Sequence, residues 1–155
     1  FKGDAQARML TLDAGGGSTW NGNVVAGDLH LTATNYGKIF GPMHGDTVSL
    51  KAAGGGVIRG TFSWKQFTAT AIGYGKIDLG GNSTVQHGVV NVNSGGSFSA
   101  PDLTVERYEI TAASYGKADV RCSGKLSTAI TSGGKVSYAG DCTVEAEHPG
   151  LVRRR

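Results

Sequence analysis

Glycine returns along this chain about every twenty residues, at Gly16, Gly37, Gly56, Gly75, Gly96, Gly116 and Gly134, in steps of 18 to 21 residues. A unit that short cannot bury an apolar face alone, so the regularity predicts coils of one solenoid, each covering its neighbour. Aligned on these glycines, the residues six and four positions earlier are mostly apolar: Leu10 and Leu12, Leu31 and Ala33, Leu50 and Ala52, Ala69 and Ala71, Val90 and Val92, Ile110 and Ala112, then Thr128 and Ile130. Such period-two alternation describes a strand with one face turned inward. A second inward row stands two residues after each glycine, at Ile39, Ile58, Ile77, Phe98, Ala118 and Val136, broken by Ser18 in the first coil. A third, looser row runs through Val24, Val48, Phe62, Val85, Leu103, Leu126 and Val144. Three short strands per coil, with glycine at the corners for positive φ and close backbone approach, predict an all-β, single-stranded parallel β-helix. The expected form is right-handed, a single domain over residues 1–155 with about seven coils of about 20 residues.

Residues 1–7 and 145–155 fall outside the repeat and are candidate caps, with Pro149 unable to continue a ladder. A poor cap would let the coils of two molecules pair end to end as a homo-oligomer. The net charge of +3 resides in Arg153, Arg154 and Arg155, without which 12 basic residues face 12 acidic ones; the triplet reads as a solvated tail. An electrically balanced body offers no broad cationic surface for nucleic acid. No window supplies the roughly 20 apolar residues of a membrane-crossing helix. The chain opens at Phe1 without a signal peptide, which suggests that an upstream segment has been removed. Cys122 and Cys142 lie 20 residues apart, about one coil, so a disulfide between neighbouring coils and a pair of free thiols are both open; a bridge would imply an oxidising compartment.

A second period lies over the first. Tyr36-Gly37-Lys38, Tyr74-Gly75-Lys76 and Tyr115-Gly116-Lys117 mark every other coil, and the coils between carry glycine pairs or triplets. One reading packs each ring over the glycine backbone of a neighbouring coil. The other makes Tyr36, Tyr74 and Tyr115, with Lys38, Lys76, Lys117 and Lys135, a ligand-binding stripe, since aromatic faces stack on sugars and lysines attract acidic groups. The residues five before each glycine, Thr11, Thr32, Lys51, Thr70, Asn91, Thr111 and Ala129, form a mostly polar ladder that supports the sheet or offers a flat binding strip. Trp20, Trp64 and Phe67 stand as core residues or as outward anchors.

Catalytic groups do not converge. The acids are scattered through the repeat frame, and Asp102 with Glu106 is the best pair for glycoside cleavage, which needs two carboxyls about 5 to 10 Å apart. His30, His44, His87 and His148 lack metal-ligand spacing, and no calcium-binding repeat, phosphate loop or dinucleotide fingerprint is present. No enzyme activity, metal or cofactor is expected.

The last fifty residues carry a recognisable form: Leu126 to Ala129, then Ser132-Gly133-Gly134-Lys135-Val136, then Tyr138-Ala139-Gly140-Asp141-Cys142-Thr143-Val144. This resembles the family of the putative autotransporter adhesin, head GIN domain, whose members repeat a small-Gly-x-Gly-hydrophobic turn and end on a tyrosine, a Gly-Asp-Pro-like turn and a valine. Cys142 stands in place of the usual proline. The likeness also covers Ile110 to Val120 and, more weakly, the earlier coils, where Tyr-Gly-Lys replaces Ser-Gly-Ser-Gly. It implies an exported β-helical protein of the bacterial envelope, in the periplasm, at the outer membrane surface or outside the cell, with adhesion as its role. The expectation is a non-catalytic, adhesin-like module that binds a polymer or surface, such as a polysaccharide, on a flat face. Its rivals are a structural solenoid, stacked end to end or used as a rigid spacer, and a polysaccharide-cleaving enzyme.

Overall fold

The computed structural model describes residues 2–148 and 151–155. Phe1 and Pro149, assigned above to the caps, lie outside the described residues. Among these residues the chain is mostly strand with almost no helix, and every pairing is parallel between one coil and the next, with registers offset by about 19 residues.

The strands stack in two columns of eight rungs. One column holds β1 (Ala5–Ala14), β3 (Val24–Thr34), β5 (Met43–Ala53), β7 (Gln66–Ile72), β9 (Thr84–Val92), the later part of β10 (Ser97–Ala112), the later part of β11 (Lys117–Ile130) and β13 (Thr143–Ala146). The other holds β2 (Thr19–Asn21), β4 (Lys38–Phe40), β6 (Val57–Ser63), β8 (Lys76–Gly80), the first residues of β10 and β11, β12 (Lys135–Ala139) and β14 (Val152–Arg154). The long strands bend where pairing lapses, as between Ala26 and Asp28, and this makes the short third side of each coil. Seven turns join eight rungs, so the count of about seven coils follows the turns and the terminal strands complete an eighth.

Inward residues line up from rung to rung. Trp20, Ile39, Ile58, Ile77, Phe98, Ala118 and Val136 form one continuous buried row. Burying each isoleucine contributes roughly 1.5–3 kcal/mol. Trp20 takes the place where the sequence frame put Ser18, because the first coil is anchored two residues later than Gly16. Ser18 donates its turn hydrogen bond to Gly15 as Gly37 does to Thr34, and Leu12 and Ala14 accordingly stack under Leu31 and Ala33. The expected third row divides in two, and buried Leu103 joins neither part, lying in the stretch between Ala100 and Thr104 where the register shifts. Val24, Met43 and Phe62 share one line, with Val85, Val105 and Cys122 beyond it. Val48 and Leu126 belong instead to a row running Leu10, Leu29, Val48, Phe67, Gly88, Tyr108, Leu126 and Val144.

Trp64 and Phe67 are buried, as Trp20 is, so none of the three is an outward anchor. Phe67 stacks near-parallel with Phe98 at 5.8 Å and meets Tyr108 edge-on at 6.1 Å. The arginine triplet is no free tail: Val152–Arg154 pairs with β12, Arg154 binds Asp141 at 2.8 Å, and Arg155 binds Asp119 at 2.8 Å and donates its backbone N–H to the Tyr138 carbonyl. Backbone pairing fixes this segment; exposed ion pairs of this kind add little.

Candidate functional site

Each of the first seven coils passes from the first column to the second through a two-residue turn. The first central residue has φ between 46° and 57° (Gly16, Asn35, Gly54, Gly73, Ser94, Ser114, Ser132), and the second between 65° and 80° (Gly17, Tyr36, Gly55, Tyr74, Gly95, Tyr115, Gly133). Two positive φ values in succession define a type I′ turn. Each is closed by an N–H···O=C bond of 2.8 to 3.0 Å across the turn, and each of the first six gives the N–H of its second residue to the next coil at 2.9 to 3.2 Å. The seven turns therefore form one continuous, hydrogen-bonded ridge along the solenoid.

Positive φ was expected of the recurring glycines; Gly16 has it, but from Gly37 onward it falls on the two residues before the glycine. In the second to seventh coils the recurring glycine is needed for another reason: a side chain at Gly37 would overlap the Ala14 carbonyl of the preceding coil, and the same holds at Gly75 against Ala52.

Three tyrosines take a backbone conformation that suits glycine. Bulky residues there are outliers that cost of order 1 kcal/mol or more and persist where surrounding structure enforces them. Tyr36, Tyr74 and Tyr115 are nevertheless 72%, 75% and 73% exposed. Each ring lies on the turn glycine of the next coil, so that a Cβ on Gly55, Gly95 or Gly133 would come within 2.8 to 2.9 Å of ring carbons of Tyr36, Tyr74 or Tyr115. The rings pack on glycine, as the first sequence reading expects, and also face solvent.

Beside the ridge, the first outward position of the second column reads Thr19, Lys38, Val57, Lys76, Ser97, Lys117 and Lys135 in register. All four lysines are exposed, and among the described residues none is in an ion pair. The next outward position carries Asp78, which is held by Arg59 at 2.8 Å, and Asp119, held by Arg155. These carboxylates are thus engaged by guanidinium groups and leave the lysines unneutralised. A hollow of about 360 Å³ opens between Ser97, Ser99, Lys117, Asp119, Lys135 and Ser137. The seven predicted site residues fall on one ridge and its flank.

Other titratable groups gather elsewhere. A hollow of about 690 Å³ near the C-terminal end of the first column is lined by Arg107, Glu109, Lys125, Glu145 and Glu147. There Glu109 lies 3.1 Å from His87 and Glu145 lies 2.9 Å from Lys125. Asp102 and Glu106, the suggested acid pair, line separate hollows. Among the described residues no three His, Cys, Asp or Glu side chains group as metal ligands.

Cys122 and Cys142 are free thiols in neighbouring coils. Burial first, and then a hydrogen bond with the Cys142 side chain, push the Cys122 thiol up to about 12. Burial also raises the Tyr108 phenol above its usual range, and its hydroxyl lies in the core without a hydrogen-bond partner. Tyr108 and the Arg59–Asp78 pair escaped the sequence reading; the match of Gly88 to the Tyr108 row was the signal available for the first.

Residues 7–142 match the family model described as "Putative auto-transporter adhesin, head GIN domain", so the chain belongs to that family. No curated protein matches the chain, and no solved structure does.

Proposed function

We propose, from membership of this adhesin-like family, that the chain is an exported, non-catalytic module whose tyrosine ridge and lysine row bind a polymer at a cell or matrix surface. One observation carries the reading: three exposed tyrosines occupy turn positions that glycine would fill without strain. Stability gives no reason for that choice, because a ring left three-quarters exposed buries little area. A contact with something outside the chain does. Sugar rings suit it, since their apolar faces stack on aromatic rings while their acidic groups meet lysines.

The test replaces Tyr36, Tyr74 and Tyr115 by glycine together and measures binding to immobilised acidic and neutral polysaccharides. The expected outcome is saturable binding by the parent chain and its loss in the variant. Retained binding would place the site away from the ridge.

A second reading draws on the ends. Among the described residues β1 pairs on one side only, with β3, and β13 and β14 likewise have one partner each. Met9, 64% exposed, sits on the β1 strand. Open edges of this kind favour stacking of one solenoid on another. Light scattering across a concentration series separates the readings: growth of long species supports stacking, whereas a constant mass leaves the ridge as the functional surface.

A further inference from the structure

We infer that the polymer is an acidic, extended β-linked polysaccharide lying along the solenoid axis and presenting one carboxylate per disaccharide to the lysine row. This rests on the reading of the ridge as a glycan site and adds the charge and the repeat of its ligand.

The ridge is a ruler with two marks. Neighbouring rungs lie about 4.8 Å apart, so residues recurring in every second rung stand about 10 Å apart. Tyr36, Tyr74 and Tyr115 recur in that way, and so do Lys38, Lys76 and Lys117, with uncharged Val57 and Ser97 in the rungs between. Continuous hydrogen bonding of the turns fixes the interval before any ligand arrives, which lowers the ordering cost of binding. In an extended β-linked chain, successive sugars are turned over, so the same edge faces the same side at every second ring. That advance matches the two-rung step.

Immediately beside the turns, charge stands on one flank. The residues just before the turns, Thr34, Ala53, Ile72, Asn93, Ala113 and Thr131, carry none. A sugar face laid on each tyrosine would therefore point its carboxylate toward Lys38, Lys76 or Lys117. Dense polyanions fit poorly, because a duplex nucleic acid carries a charge about every 1.7 Å and would meet one cation about every 10 Å. Lys135 follows Lys117 in the adjacent rung, which makes the C-terminal end of the row its most cationic part.

The experiment titrates the parent chain and a Lys38→Ala, Lys76→Ala, Lys117→Ala variant with hyaluronan oligosaccharides, neutral chitohexaose and inorganic polyphosphate, using calorimetry. Three tyrosines span two repeats, so hyaluronan affinity should climb from disaccharide to hexasaccharide and then level off. The variant should lose about tenfold for the hexasaccharide, the size expected of three exposed ion pairs, while any weak binding of chitohexaose stays unchanged. Equal affinity of the parent for chitohexaose and hyaluronan would overturn the charge assignment while leaving the ridge a glycan site. Preference for polyphosphate would overturn the ligand class. Binding of none of the three would overturn this inference, and failure of the wider polysaccharide panel as well would overturn the reading beneath it.

Discussion

Glycine makes room for a tyrosine from a neighbouring coil in two regions of this molecule, with opposite results. In the core, Gly88 stands between Phe67 and Tyr108, and a Cβ there would come within 2.7 to 3.0 Å of both rings. Tyr108 is fully buried by this arrangement. On the ridge, Gly55, Gly95 and Gly133 receive Tyr36, Tyr74 and Tyr115, which stay largely exposed on strained backbone. The inner ring gains burial free energy, whereas the outer rings gain little and carry a conformational cost. A device used for packing inside is used for display outside.

The largest effect should come from the inner ring. Tyr108→Ala would leave a cavity and lower stability by about 3–5 kcal/mol in denaturant titration. A loss below about 1 kcal/mol would show that the row collapses around the gap and that Gly88 does not define the packing. Next, Gly95→Ala should cost about 1–2 kcal/mol, since the new methyl takes positive φ and meets the Tyr74 ring. Combining it with Tyr74→Gly should recover part of that loss, and strict additivity of the two changes would mean that ring and glycine are not coupled.

Alkaline pH acts on the inner region. The Cys122 thiol has a folded value of about 12 against an ordinary value of 9.0. A group raised on folding contributes stability that is complete below the unfolded value, so stability should fall as pH rises from about 9 toward 12. Burial raises Tyr108 in the same direction. Cys122→Ala should flatten the first part of that fall in pH-dependent melting, and an unaltered profile would locate the titrating group elsewhere. The smallest change is Tyr108→Phe, which removes a buried hydroxyl without a partner and should leave stability equal or raise it by about 1 kcal/mol.

Much of this was legible because a solenoid writes its fold in a short period. The glycine spacing and the Ile39, Ile58 and Ile77 row foretold parallel stacking, and the Tyr-Gly-Lys motifs marked the ridge. Three-glycine runs hid the frame of the first coil: Gly15, Gly16 and Gly17 are interchangeable on paper, and only the turn bond from Ser18 fixes the register. The sequence also offered no sign that Tyr36, Tyr74 and Tyr115 themselves adopt positive φ, because a bulky residue is read as excluding that conformation. Arg153 to Arg155 are exposed, as a charge run suggests, but their pairing was not legible: nothing in the run shows that β12 lies alongside or that Asp141 and Asp119 stand opposite Arg154 and Arg155.

The central claim is that the ridge tyrosines serve display and not stability. Chemical denaturation of the Tyr36→Gly, Tyr74→Gly, Tyr115→Gly variant beside the parent tests it most directly. The account predicts an unfolding free energy equal to the parent's or higher, as three strained turns relax; a fall of about 3 kcal/mol, the scale of losing buried apolar contacts, would contradict it.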